Sequence, residues 1–172
     1  VEGGSRLSLK LFCIKVCNRP HKGLTMSSMS EKTGLDGDNG AGYLRAIGLR
    51  PTQQRMALAG LLFSGEDRHV TAEALYEEAT ARGIKVSLAT VYNTLNQFKE
   101  AGLLREVIVH SGKSYFDTRT EDHHHLYDEH SGRIEDVHLD IDERELCEQL
   151  EVPRGKRVAG VDIVVRLRES GD

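Results

Sequence analysis

The chain has no tryptophan, and only five tyrosines and four phenylalanines among its 172 residues. Its core must therefore be built mainly from aliphatic side chains. Cysteine is equally scarce. Cys13, Cys17 and Cys147 are an odd number and include no Cys-x-x-Cys pair, so neither a disulfide framework nor a thiolate zinc site is indicated, and the reducing cytoplasm is the expected compartment. No apolar run approaches the ~18 residues of a membrane span. Lys10 and Lys15 interrupt the apolar stretch around Leu11-Phe12-Cys13-Ile14, and no small-x-small site follows it, so a signal peptide is not expected. Met26 and Met29 each stand where a natural start could be. Residues 1–25 accordingly read as an upstream extension and residues 30–42, rich in Gly and Asp, as a disordered arm. Together they set residues 1–40 apart from the folded part.

The formal net charge of −4 is unevenly spread. Residues 1–40 carry six basic and four acidic side chains, residues 41–119 ten and eight, and residues 120–172 seven and fifteen. The acidic last third is a poor surface for nucleic acid and a good one for cations. The most chemically loaded stretch lies at its start: Asp122-His123-His124-His125-Leu126-Tyr127-Asp128-Glu129-His130 packs four imidazoles and three acids into nine positions. If the run is a strand, its period of two sends His123 and His125 to one face and His124 to the other.

Along residues 41–119 the pattern is helical. Tyr43 to Leu49 reads as a short helix closed by Gly48. Thr52 is placed to cap a helix reaching Phe63, Thr71 a third helix stopped by Gly83, and Ser87 a fourth from Leu88 to Ala101 stopped by Gly102. The fourth helix has an apolar stripe of Leu88, Val91, Leu95 and Phe98, while Ala89, Thr90, Asn93, Asn96 and Gln97 project elsewhere. That outward set is almost uncharged. A solvated face usually carries Lys and Glu, whereas short amides and hydroxyls suit base edges in a major groove. Two strand-like runs, 103–109 and 113–117, then flank the turn His110-Ser111-Gly112. Helices followed by a hairpin make a winged helix, here over residues 41–119.

Residues 120–172 read as a smaller α/β unit. Strands are expected over the histidine run and over 132–139, followed by a helix from Asp142 to Leu150 with Leu146, Cys147 and Leu150 inward. Val158 to Leu167, the most β-prone segment, is expected to be a central strand. A unit of some fifty residues could hardly bury a core alone, which favours pairing with a second copy.

The segments Arg68-His69-Val70-Thr71-Ala72-Glu73-Ala74-Leu75-Tyr76, Leu88-Ala89-Thr90-Val91-Tyr92-Asn93-Thr94-Leu95-Asn96-Gln97-Phe98, Gly112-Lys113-Ser114-Tyr115-Phe116-Asp117 and His123-His124-His125 together resemble the ferric uptake regulator family. The likeness runs from about Leu44 to Arg168. Within the family the chain looks most similar to the iron response regulators of alphaproteobacteria, which share the histidine triplet. The resemblance implies an α+β fold, an N-terminal winged helix-turn-helix domain followed by a small α/β dimerisation domain. It implies a metal-responsive, homodimeric transcription regulator, mainly a repressor of iron and haem metabolism genes, that binds double-stranded DNA at an inverted-repeat, A/T-rich operator.

The same resemblance implies a regulatory metal site at His69, Asp117, His123 and His125, with Asp136 as fifth ligand. Three imidazoles and two carboxylates suit Fe(II), Mn(II) or Zn(II), and the donors alone do not choose among them. A second site would fall on Asp122, His124 and Glu143, but the last strand has Arg166 and Leu167 where relatives place a further histidine. The Cys-x-x-Cys pair that holds structural zinc in many members is replaced by Asp128 and Ser131, so no Cys-based structural zinc is expected. Haem is implied as a regulatory ligand of His123, His124 and His125, since imidazole is a common axial ligand. The Cys-Pro haem motif of some relatives is absent, Cys17 being followed by Asn18, Arg19 and Pro20. DNA contacts are expected from Thr90, Tyr92, Asn93 and Gln97, Tyr92 mainly by resemblance. Asn93 stands where many relatives have Arg.

Other function classes fit less well. A manganese-, zinc- or peroxide-sensing member of the same family would share these residues. A metallohydrolase would need a positioned base, often on a His-Glu-x-x-His helix, and none is present. A haem-binding or delivery protein would have no use for a base-reading helix.

Overall fold

The computed structural model describes residues 38–109, 114–158 and 160–169, without the side chains of residues 38, 39, 143 and 144. The expected extension at 1–25, the arm as far as residue 37 and the wing turn His110-Ser111-Gly112 lie outside the described residues.

The first helix, α1 (Asp38–Ala46), begins inside the stretch expected to be an arm, so residues 38–42 are helical. Leu44 is fully buried, and Tyr43 and Ile47 pack against the main core. That burial outweighs the poor helix propensity of Gly40 and Gly42. The next three helices are α2 (Gln53–Phe63), α3 (Ala72–Ala81) and α4 (Leu88–Glu100). Each has the cap its sequence promised: the side chains of Thr52, Thr71 and Ser87 accept from the backbone N–H groups of Arg55, Ala74 and Thr90. Gly83 and Gly102 adopt φ of 73° and 78°. In that left-handed conformation the two residues after each helix fold back onto its last carbonyls: Ile84 N–H reaches Ala79 O at 2.9 Å and Leu103 N–H reaches Phe98 O at 2.9 Å.

The apolar stripe of α4 differs from expectation at one end. Val91, Leu95 and Phe98 are fully buried, but Leu88, the first residue of the helix, is 36% exposed. Thr94 is buried in the row instead, a position that a count of apolar residues passes over. These side chains join those of α1 to α3 in one core around Leu58, Leu62, Leu75, Leu95 and Phe98.

A three-stranded sheet follows in the order β1-β3-β2, where β1 is His69–Val70, β2 Arg105–Ile108 and β3 Ser114–Asp117. The expected hairpin is β2 and β3. Strand β1 was not expected, because two residues carry no periodicity. Its register sets His69 opposite Asp117.

The second sheet has the order β5-β4-β6, from β4 (His124–Asp128), β5 (Ile134–Val137) and β6 (Val164–Leu167). The histidine strand is therefore central and β6 lies at an edge, the reverse of what β-propensity predicted. Only four residues of the apolar run enter the sheet, parallel to β4, and Val165 and Leu167 remain 37% and 45% exposed. Propensity reports fit to a pleated surface and not position within a sheet. Helix α5 (Glu143–Glu148) stops short of the expected end, which leaves Leu150 exposed while Leu146 and Cys147 are half-buried.

The two sheets meet. Val107, Val109 and Tyr115 of the wing form a second core with Tyr127 and Ile134, and Val164 packs against it. The rings of Tyr115 and Tyr127 are 6.1 Å apart, and the Tyr115 hydroxyl donates to the Gly132 carbonyl at 2.6 Å. Among the described residues no helix is long and apolar enough to cross a membrane.

Candidate metal centre and DNA-reading face

Strand registry gathers the candidate ligands. Pairing of β1 with β3 sets His69 beside Asp117, and pairing of β4 with β5 sets His125 beside Asp136. His123 precedes β4 by one residue and shares the face of His125. One donor atom from each of His69, Asp117, His123, His125 and Asp136 lies within 4.8 Å of all the others. His123 Nε2 is 3.0 Å from Asp117 Oδ2 and 3.2 Å from Asp136 Oδ1, while His69 Nε2 is 3.2 Å from Asp136 Oδ1 and 3.7 Å from Asp117 Oδ2. His125 Nε2 is 3.7 Å from Asp117 Oδ2 and is 1% exposed as a residue.

The surrounding contacts orient each donor. The Glu121 carbonyl, which can only accept, lies 2.8 Å from His123 Nδ1, so Nδ1 carries the hydrogen and Nε2 turns its lone pair inward. Arg119 holds both carboxylates by one oxygen: its backbone N–H donates to Asp117 Oδ1 at 2.8 Å and its guanidinium to Asp136 Oδ2 at 2.9 Å. The other oxygen of each faces the cluster. His69 Nε2, Asp117 Oδ2, His123 Nε2 and His125 Nε2 are buried without a hydrogen-bond partner, although they lie close together. Converging buried donors of this kind are costly unless a cation satisfies them, so the residues fit a divalent ion.

Charge follows from the same crowding. Burial pushes the Asp117 carboxyl up, but the His123, His125 and His69 imidazoles and the Arg119 N–H outweigh it and hold it well below the usual carboxylate range. Burial pushes His69 down, and the carboxylates do not fully compensate. Burial also lowers His123, yet Asp117, the Glu121 carbonyl and Asp136 together leave it raised.

A model of the ferric uptake regulator family matches residues 46–163. The chain belongs to that family. It is 34% identical over 125 residues to the peroxide-responsive repressor PerR of Staphylococcus epidermidis, covering 72% of this chain and 83% of that protein. It is 35% identical over 113 residues to the ferric uptake regulation protein of Vibrio anguillarum, covering 63% and 76%. Its fold matches the Vibrio cholerae ferric uptake regulator with a TM-score of 0.63 at 28% identity, over 75% of this chain and 98% of that one. The manganese-containing ferric uptake regulator of Pseudomonas aeruginosa matches with a TM-score of 0.56 at 29% identity, over 76% and 97%. The architecture is thus the family's winged helix followed by an α/β dimerisation domain, and the chain is a metal-responsive, DNA-binding transcription regulator, not an enzyme.

The other sequence-based candidates fare differently. Asp122 is exposed and pairs with Arg105 at 3.5 Å, His124 is buried outside the five-residue cluster, and the Glu143 side chain lies outside the described residues. Asp122 and His124 both lie outside the five-residue cluster. The triplet divides as the strand period requires, His123 and His125 on the cluster side and His124 in the other direction.

On α4, Tyr92 and Asn93 are exposed and Thr90 half-buried, its hydroxyl 2.9 Å from that of Ser87. Gln97 is half-buried and accepts, through Oε1, from the Arg55 guanidinium, which also donates to the Arg50 carbonyl. Gln97 thus ties α4 to the start of α2. The turn after β4 holds no cysteines. There Asp128 accepts from the His130 N–H at 2.8 Å and the Ser131 hydroxyl at 2.7 Å, closing the β4–β5 connection with side-chain hydrogen bonds. Sequence reasoning missed Arg119 and Arg55, because nothing in their local pattern announces the distant groups they hold.

Proposed function

We propose that this regulator senses iron and haem, and acts mainly as a repressor of iron and haem metabolism genes in the form of a cytoplasmic, metal-bound homodimer. The observation that carries the reading is the five-donor cluster, whose members come from β1 and β3 on one side and from β4, β5 and the residue before β4 on the other. His69, Asp117, His123, His125 and Asp136 would hold Fe(II), Mn(II) or Zn(II), and a bound ion supplies the positive charge that satisfies all five donors at once. His69 and Asp117 belong to the winged domain and the other three to the dimerisation side, so occupancy favours one orientation of the reading heads. Thr90, Tyr92, Asn93 and Gln97 of α4 would then meet the major groove. A dimer presents two such helices to the half-sites of an inverted-repeat, A/T-rich operator.

Haem is the second input, taken by His123, His124 and His125. It is too bulky for a closed cluster of five ligands, so its binding opens that cluster or uses His124 from the other face, and either route releases the reading heads. Support for this part is the triplet itself, together with imidazole's frequent use as a haem ligand.

A second reading is favoured by the relatives: the Staphylococcus epidermidis and Bacillus subtilis proteins are named for their response to peroxide. A cluster of nitrogen and oxygen donors holding Fe(II) could serve that purpose, and a manganese- or zinc-responsive member would use the same donors.

The test begins with duplexes selected from a random library by the purified protein with Mn(II). Retardation of the selected duplex should be strong with Mn(II), weaker after chelation, and weaker again with haem. Replacing His123, His124 and His125 together should abolish the haem response, whereas His69→Ala should weaken metal-dependent binding and keep most haem binding. Loss of DNA binding on adding peroxide to the Fe(II) form, with no effect of haem, would favour the second reading. Binding indifferent to metal, haem and peroxide would refute both.

A further inference from the structure

Arg119, in the segment between β3 and β4, reaches both carboxylates of the centre, and by different atoms. Its backbone N–H donates to Asp117 Oδ1 at 2.8 Å, a bond that any residue but proline could make at this position. Its guanidinium donates to Asp136 Oδ2 at 2.9 Å, a bond that belongs to the arginine side chain. The two carboxylates also differ in confinement. The Asp117 side chain is fully buried, whereas that of Asp136 is 31% exposed. Strand β5 nevertheless fixes the Asp136 backbone opposite His125, so the carboxylate stays at the cluster and only the number of oxygens it turns inward is left open.

We propose that Arg119 is a positioning residue that sets the metal preference of the centre by holding Asp136 to a single donor oxygen. The proposal rests on the reading that the five donors bind a divalent ion. With Oδ2 engaged by the guanidinium, Asp136 offers Oδ1, which lies 3.2 Å from the Nε2 atoms of both His69 and His123. The centre then supplies five protein donors. Released, the same carboxylate can present both oxygens and supply a sixth. Ions feel that difference unequally: Zn(II) is content with four or five ligands, whereas Mn(II) suits an octahedral set of six. The positive charge of Arg119 is a weaker influence, because the side chain is partly exposed and acts on Glu121 and Asp67 as well as on Asp136. That charge also repels every divalent ion alike, so it alters affinity and not preference.

The experiment measures Zn(II) and Mn(II) affinity of the metal-free full chain by competition calorimetry, and the visible spectrum of its Co(II) form. It compares wild type, Arg119→Met, Arg119→Ala, Asp136→Ala and the double variant of Arg119→Met with Asp136→Ala. Met keeps an unbranched stem and donates no hydrogen bond. The Arg119 side chain is 40% exposed, so neither replacement opens the core. Either one should lose about tenfold in Zn(II) affinity, the lower end of what an outer-shell partner contributes, and less in Mn(II) affinity, so that the preference for Zn(II) narrows. The Co(II) bands should weaken, as they do when a five-coordinate ion becomes six-coordinate. In the Asp136→Ala background, Arg119→Met should leave both preference and spectrum unchanged. Equal changes in the two affinities with an unaltered Co(II) spectrum would overturn the proposal, since charge or general loosening would then suffice. A shift in preference that persists without the Asp136 carboxylate would overturn it too. A wild type that binds none of the three ions at one site per chain would refute the metal centre itself, and not only the role of Arg119.

Discussion

His123 shows how single residues set the behaviour of the centre. Its imidazole is held above its ordinary value, so in the metal-free protein the protonated form is favoured by the fold. The stability this contributes is complete below the ordinary imidazole value of 6.5 and is lost as pH rises through the folded value. A metal ion needs the neutral ring and must displace that proton. Mn(II) affinity measured by calorimetry should therefore climb with pH across the imidazole range, and protons should be released on binding. An affinity independent of pH would remove His123 from the ligand set. On the reading helix, Asn93 is exposed and can pair bidentately with adenine. Asn93→Ala should cost about 1–3 kcal/mol of base discrimination, read as altered preference among single-base variants of the selected duplex. Unchanged selectivity would show that it reads nothing. The run of imidazoles stood out because its chemistry is unusual for its place, and the structure brings His123 and His125 into one cluster. Arg119 did not, since an arginine in a connecting segment looks the same whether or not it holds two carboxylates.

At the scale of elements, local signals were reliable wherever the physics is local. Thr52, Thr71 and Ser87 cap the three helices expected of them, and Gly83 and Gly102 end two of these helices. Local signals failed where position depends on partners. The two residues of β1 become a strand only because β3 lies beside them, and β6, for all its β-branched residues, takes an edge. The turn after β4 is an element with its own prediction. Side-chain hydrogen bonds from Asp128 stand where many relatives bind zinc through cysteines, so this turn should need no metal. Asp128→Ala should lower the melting temperature of the metal-free protein, while prolonged chelation of the wild type should not unfold it. Unfolding on chelation would point to a structural metal that this turn does not explain.

At the scale of the whole molecule, nothing in composition or charge reports how closely the wing packs on the second sheet. The wing shares a core with the second sheet through Tyr115, Tyr127 and Ile134, and the five-donor cluster lies between the same sheets. Two contacts of different chemistry thus join the reading head to the dimerisation side. The second sheet remains small and leaves Val165 and Leu167 exposed at its edge, so the chain should be a dimer even without ligand. Light scattering at micromolar concentration checks this, and a monomer would contradict it.

Under the proposed function metal occupancy and DNA binding are coupled through the cluster, and such coupling is reciprocal: if Mn(II) strengthens binding of the selected duplex by some factor, the duplex must strengthen binding of Mn(II) by the same factor. The decisive measurement is Mn(II) affinity of the wild type and of His69→Ala, each with and without saturating selected duplex. The duplex should tighten Mn(II) binding to the wild type by the factor seen in the DNA titration, and His69→Ala should lose most of this gain. A Mn(II) affinity that DNA leaves unchanged in the wild type would show that the cluster does not communicate with the reading heads.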